Sequence, residues 1–110
     1  VTAELRHPLG PAGRNVRINV RRLREERLWS YKDVADRLAR AGRPIDTLEL
    51  GDVDAGTRRV DVDDLVALAG VFSLSPAQLL EPPADCEQCH GAPPTGFICM
   101  RCEGASLPTA

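Results

Sequence analysis

The sequence predicts a mainly α fold, five short helices packed as a bundle, followed by a small module organised by four cysteines. Three observations predict it. Apolar residues recur at spacings of three and four between residues 14 and 80, the period of helices with one buried face. Ser30, Asp46, Asp61 and Ser75 each stand where a capping side chain opens a helix, and Asp33, Glu49 and Gln78 follow three of them at the reciprocal position. The chain's four cysteines fall as two C-x2-C pairs.

The first segment with helical periodicity starts at Asn15, with Val16, Val20 and Leu23 on the inner stripe and arginines on the other faces. Residues 1–13 carry Pro8, Gly10, Pro11 and Gly13 without periodicity and read as a flexible arm. Helix two opens at Ser30, turns Val34, Ala35 and Leu38 inward, and ends where Gly42 supplies a left-handed cap and Pro44 cannot continue the ladder. Helix three opens at Asp46, buries Leu50 and Val53, and stops at Gly56. Asp61 caps helix four, whose Val62, Leu65, Val66, Leu68 and Ala69 make a broad apolar face running to about Phe72. Ser75, Pro76 and Gln78 read as the cap, first and third positions of a fifth helix ending near Leu80. The helical domain therefore spans residues 14–81, and Pro82 to Asp85 read as a stiff linker.

At 110 residues, 43% hydrophobic and 27% charged, the chain suits one small domain plus a mini-module too small to bury a core without a staple. Its aromatics are Trp29, Tyr31, Phe72 and Phe97, so the core must be built from Leu, Val, Ile and Ala. No apolar run approaches the roughly 20 residues of a membrane span, and none at the N-terminus resembles a secretory signal. A cytoplasmic protein with no membrane partner is expected. In that compartment thiols stay reduced, which favours metal ligands over disulfides.

The net charge of −2 hides an asymmetry: residues 1–43 carry eleven basic and five acidic side chains, and residues 44–110 carry three basic and eleven acidic. The first part suits phosphate and the second opposes it.

Over residues 14–80 the chain resembles the Xre/Cro, lambda-repressor-like helix-turn-helix family. The resemblance rests on Val20-Arg21-Arg22-Leu23-Arg24, on Trp29-Ser30 opening helix two, and on Val34-Ala35-x2-Leu38. It also rests on Val53-Asp54-Ala55-Gly56 closing helix three, on Val62-x2-Leu65-Val66-x-Leu68-Ala69, and on Ser75-Pro76-Ala77-x-Leu79-Leu80. It implies that helix three enters the major groove of double-stranded DNA, presenting Thr47, Leu48, Glu49 and Asp52, while helix two holds the backbone. Tyr31 and Lys32 at the start of helix two, with Arg58 and Arg59 after helix three, are the implied phosphate contacts. A homodimer reading two half-sites is implied as well. Trp29 occupies an apolar position of the family and reads as core.

Two features depart from the family pattern. The turn from Ala39 to Ile45 is longer than usual, and helix three carries Asp46, Glu49, Asp52 and Asp54 where the family offers basic or neutral polar residues. First-turn carboxylates at Asp46 and Glu49 gain about 0.3–1 kcal/mol each from the helix dipole. Asp52 lies beyond that turn, although an acid there can accept from a cytosine amino group. Arg17, Arg21, Arg24, Lys32, Arg37, Arg40 and Arg43 fit either a phosphate-gripping surface or a solvated face paired with Glu25, Glu26, Asp33 and Asp36.

Cys86-x2-Cys89 and Cys99-x2-Cys102 delimit a module over residues 86–104, followed by a tail over 105–110. Two such knuckles can present four thiolates at about 2.3 Å to one structural Zn2+, an arrangement that resembles a short zinc ribbon. Rubredoxin-like iron is the competing ligand chemistry. Gly91 and Gly104, each two residues after the second cysteine of its pair, help the backbone turn, Phe97 is expected to cover the site, and His90 is expected to stay exposed.

No Gly-rich phosphate loop is present, and no nucleophile has a plausible base, so an enzyme is not expected. The expected function is a DNA-binding transcriptional regulator with a structural zinc module. The alternative is an interaction adaptor docking a protein partner through acidic helix three and the zinc module.

Overall fold

The computed structural model describes residues 8–107. Residues 1–7 of the expected arm and 108–110 of the expected tail lie outside the described residues. Five helices follow in order: α1 (Pro11–Glu26), α2 (Tyr31–Arg40), α3 (Thr47–Ala55), α4 (Val62–Val71) and α5 (Pro76–Leu80). The first begins four residues before Asn15. Pro11 reads as a breaker in sequence, yet at the first helical position its missing N–H costs nothing and its fixed φ suits the helix.

Capping boxes open the other four. Ser30, Asp46, Asp61 and Ser75 accept from the backbone N–H three residues on, and Asp33, Glu49, Asp64 and Gln78 reach back to the cap N–H. Gly42 (φ +87°) follows α2 and Gly56 (φ +80°) closes α3, left-handed conformations that glycine adopts without a Cβ penalty.

α1 packs on α3 and α5, α2 on α3 and α4, and α4 on α5. Between them lie Val16, Val20, Leu23, Val34, Leu38, Ile45, Leu50, Leu68, Ala69, Phe72 and Leu79, all buried. Each large member contributes about 1.5–3 kcal/mol by leaving water. Trp29 stacks on Phe72 with ring centroids 5.5 Å apart, and the Arg37 guanidinium covers its outer face at 3.9 Å. Trp29 is thus an edge of the core, as its apolar position implied.

The four-cysteine module follows the helices as a small unit, as expected. Among the described residues its strand pairing is a single antiparallel bridge, Ile98 to Ala105. Phe97 does not cover it: the residue is 68% exposed, and the buried positions there are Cys86, Cys99, Pro93, Gly104 and Ala105. Nor is segment 82–85 an exposed spacer throughout, since Pro82 and Pro83 are buried. Among the described residues no helix is long and apolar enough to cross a membrane.

Candidate functional site

The two C-x2-C knuckles repeat one backbone geometry. His90 N–H donates to Cys86 O and Glu103 N–H to Cys99 O, both at 2.8 Å. His90 (φ +51°) and Glu103 (φ +60°), each directly after a knuckle's second cysteine, occupy the left-handed region. Such residues persist only where surrounding bonds over-determine them. Here the over-determined feature is the placement of sulfur.

All four Sγ atoms lie within 4.8 Å of one another. Cys86 and Cys99 approach to 3.8 Å, and Cys89 and Cys102 to 3.7 Å. Four sulfurs at 2.3 Å from a central ion would stand roughly 3.8 Å apart at the corners of a tetrahedron. The thiols are free, and these separations are far beyond the roughly 2.05 Å of a disulfide. The cluster is therefore compatible with a closed tetrahedral zinc site. His90 is exposed and stands outside the cluster, as expected.

The thiols differ in acidity. The Cys89 N–H lowers Cys86 from 9.0 to about 7, and the Cys102 N–H pulls Cys99 in the downward direction. Burial raises Cys89 and lifts Cys102 to about 12. A soft cation held by all four would displace every proton. Gly104 N–H points at Cys102 Sγ at 3.4 Å, the kind of amide contact that steadies a coordinating thiolate.

The module is seated on α1. Asn15 Nδ2 donates to Ala105 O at 2.7 Å and to Leu80 O at 3.0 Å, while Ala105 N–H donates to Asn15 Oδ1 at 2.8 Å. One turn on, Asn19 Nδ2 donates to Leu79 O at 2.9 Å and Glu81 O at 2.6 Å, satisfying carbonyls that the end of α5 leaves without helical partners. Arg14 reaches Glu103 O at 3.1 Å. Sequence reasoning did not single out Asn15 or Asn19. Their signal is present: two amides four residues apart on the same inner stripe as Val16, Val20 and Leu23.

The expected DNA-facing residues divide. Thr47, Leu48 and Asp52 are exposed on α3, Leu48 by 80%, while Glu49 is half-buried and engaged. Arg58 lies 3.2 Å from Glu49 and 3.6 Å from the buried Asp64, so its charge is spent tying α3 to α4. Arg43 holds Asp61 at 2.7 Å and Asp64 at 2.9 Å. Tyr31 Oη donates to Asp54 Oδ2 at 2.7 Å and Arg21 Nε donates to Oδ1 at 2.7 Å. Burial acts to raise the Asp54 carboxyl, but the bonds from Arg21 and Tyr31 outweigh it and hold it below the usual range. Lys32 is exposed and pairs with Asp36 at 3.0 Å, and the exposed Arg59 donates to Pro8 O at 3.2 Å. The arginines thus bond to the protein far more than their count in the sequence conveys.

The fold has a solved counterpart. The structure resembles that of the hypothetical transcription factor NHTF from Neisseria, with a TM-score of 0.57 at 16% identity, covering 76% of this chain and 92% of that one. At this identity the likeness speaks for the fold alone. No protein-family model matches the chain, and no curated protein does.

Proposed function

We propose that the chain is a DNA-binding transcriptional regulator of the Xre/Cro kind, with α2 and α3 as its helix-turn-helix and one structural zinc at Cys86, Cys89, Cys99 and Cys102. The observation that carries this reading is the uncovered outer face of α3 in a fold shared with a hypothetical transcription factor. Leu50 and Val53 anchor the helix inward, so Thr47, Leu48 and Asp52 are left to face a groove. Lys32 and Arg59 would contact phosphate. Tyr31, Glu49 and Arg58 would set the pose of α3 through their internal partners. The protein would act in the cytoplasm as a homodimer and without catalysis, since a closed four-thiolate site offers no open coordination position.

Fluorescence polarisation with duplex DNA at several salt concentrations tests this reading. Binding should weaken with a log–log slope of about −0.9 per phosphate neutralised, and Lys32→Ala should flatten the slope by about one such contact. Asp52→Asn should raise affinity for random duplex, because it removes a charge that repels phosphate.

A second reading has its own support. The exposed face of α3 offers acid and a leucine, and Arg21, Arg43 and Arg58 are paired with carboxylates. An adaptor that docks a basic protein surface through α3 would use that face directly. Absence of salt-sensitive DNA binding, with Asp52→Asn inert on DNA, would favour it.

A further inference from the structure

Asn15 stands where the stripe of α1 calls for an apolar side chain, and it is 0% exposed. Its single carboxamide joins three parts of the molecule. Oδ1 takes the Ala105 N–H, and Nδ2 is shared between Ala105 O and Leu80 O at the end of α5. A buried amide so used fixes position sharply, because any shift leaves polar groups without partners.

On the module side, Ala105 is the residue bridged to Ile98, next to Cys99, and it lies three residues after Cys102. Cys99 N–H donates to Gly104 O at 2.9 Å, and Gly104 N–H points at Cys102 Sγ. The chain is tight there: a Cβ on Gly104 would stand 2.8 Å from Pro82 Cβ. The bond from Cys99 N–H to Gly104 O and the Ile98–Ala105 bridge set the register of this segment on the second knuckle, and in that register Ala105 meets Asn15. A line of bonds therefore runs from the sulfur cluster to the inner face of α1, beside the core residue Val16.

Resting on the reading that zinc fills the four-cysteine centre, we infer that the centre is latched to the helical bundle through Asn15, so that metal occupancy is felt in the bundle. Zinc orders Gly104 and Ala105, and the two bonds between Ala105 and Asn15 hold that side chain on Leu80 O at the end of α5. Loss of zinc releases both. By thermodynamic reciprocity, the factor by which zinc stabilises the latched bundle is the factor by which the latch tightens zinc binding.

The test uses the full chain, with Trp29 fluorescence reporting the bundle and chelator competition reporting zinc affinity. Chelation should lower the Trp29 melting midpoint by about 5 °C or more. Asn15→Ala should weaken zinc about tenfold and shrink that metal-dependent shift by more than half. Should Asn15→Ala fail to fold, Ala105→Pro removes the same N–H from the module side and leaves every helix residue in place; it should show the same two changes. One zinc per chain with an unmoved Trp29 midpoint on chelation, or unchanged zinc affinity in the folded variant, overturns the latch and leaves the metal centre standing. A wild-type chain that binds no zinc overturns the metal centre and the latch with it.

Discussion

In the helical bundle Phe72, Leu38, Leu68 and Leu79 are fully buried, whereas in the four-cysteine module Phe97 is 68% and Met100 93% exposed, and sulfur, proline and small residues occupy the inside. The bundle is held by area removed from water, through four helices with side-chain caps and one without that share one core. The module has too little apolar interior for that; its four thiols converge on one another, and its Ala105 backbone bonds to the Asn15 side chain of α1. Burial in one region and the zinc coordination we propose for the other imply different sensitivities, and the contrast can be broken experimentally.

The largest effect should come from the metal ligands. Cys99→Ser, or a strong chelator, should abolish ordered structure over residues 86–104, since apparent zinc binding energies in such modules reach about 10–16 kcal/mol and are largely folding energy. Amide NMR should show the module's resonances collapse while α1–α5 stay folded, with a lowered midpoint. Collapse of all helicity at once would erase the distinction between the two regions.

Next come the aromatic pair, one from each region. Phe72→Ala should cost about 3–5 kcal/mol in chemical denaturation, by loss of burial and by the cavity beneath Trp29. Phe97→Ala should stay within about 0.5 kcal/mol. A large effect at Phe97 would mean that the module has an apolar core after all.

A smaller effect sharpens the electrostatics of the bundle. Asp54 has a folded pKa below its unfolded value, despite the opposing effect of burial, because Arg21 and Tyr31 bond to the carboxylate. Its stabilisation is therefore complete above the ordinary carboxylate value of about 3.9 and is lost as pH falls through the lower folded value. Thermal midpoints measured down through that window should fall less steeply in Asp54→Asn than in the wild type.

What was legible in the sequence was local. The caps at Ser30, Asp46, Asp61 and Ser75 act on residues three positions away, and Gly42 and Gly56 act on their own turns, so pattern alone finds them. The cysteine spacing likewise shows each knuckle within four residues. The start of α1 was hidden because Pro11 and Gly13 look like breakers until the proline is seen at the first helical position. The roles of Asn15 and Asn19 were hidden for a deeper reason: their partners Ala105, Leu79 and Glu81 are 60 to 90 residues away. The arginines show the same limit. Arg22 with Glu26 and Lys32 with Asp36 are pairs that spacing can find, but Arg21 with Asp54 and Arg58 with Glu49 and Asp64 join separate helices. Charge counting therefore does not reveal which cations already face a carboxylate.

The central claim, that four thiols hold one structural ion and not two disulfides, is tested most directly by counting metal and reactive thiols on the same purified sample. Elemental analysis should give one zinc per chain, and a thiol reagent should find Cys86, Cys89, Cys99 and Cys102 protected until chelator is added, then all four reactive. A chain without metal whose four thiols react at once, or one whose thiols stay silent until a reductant is added, would contradict it.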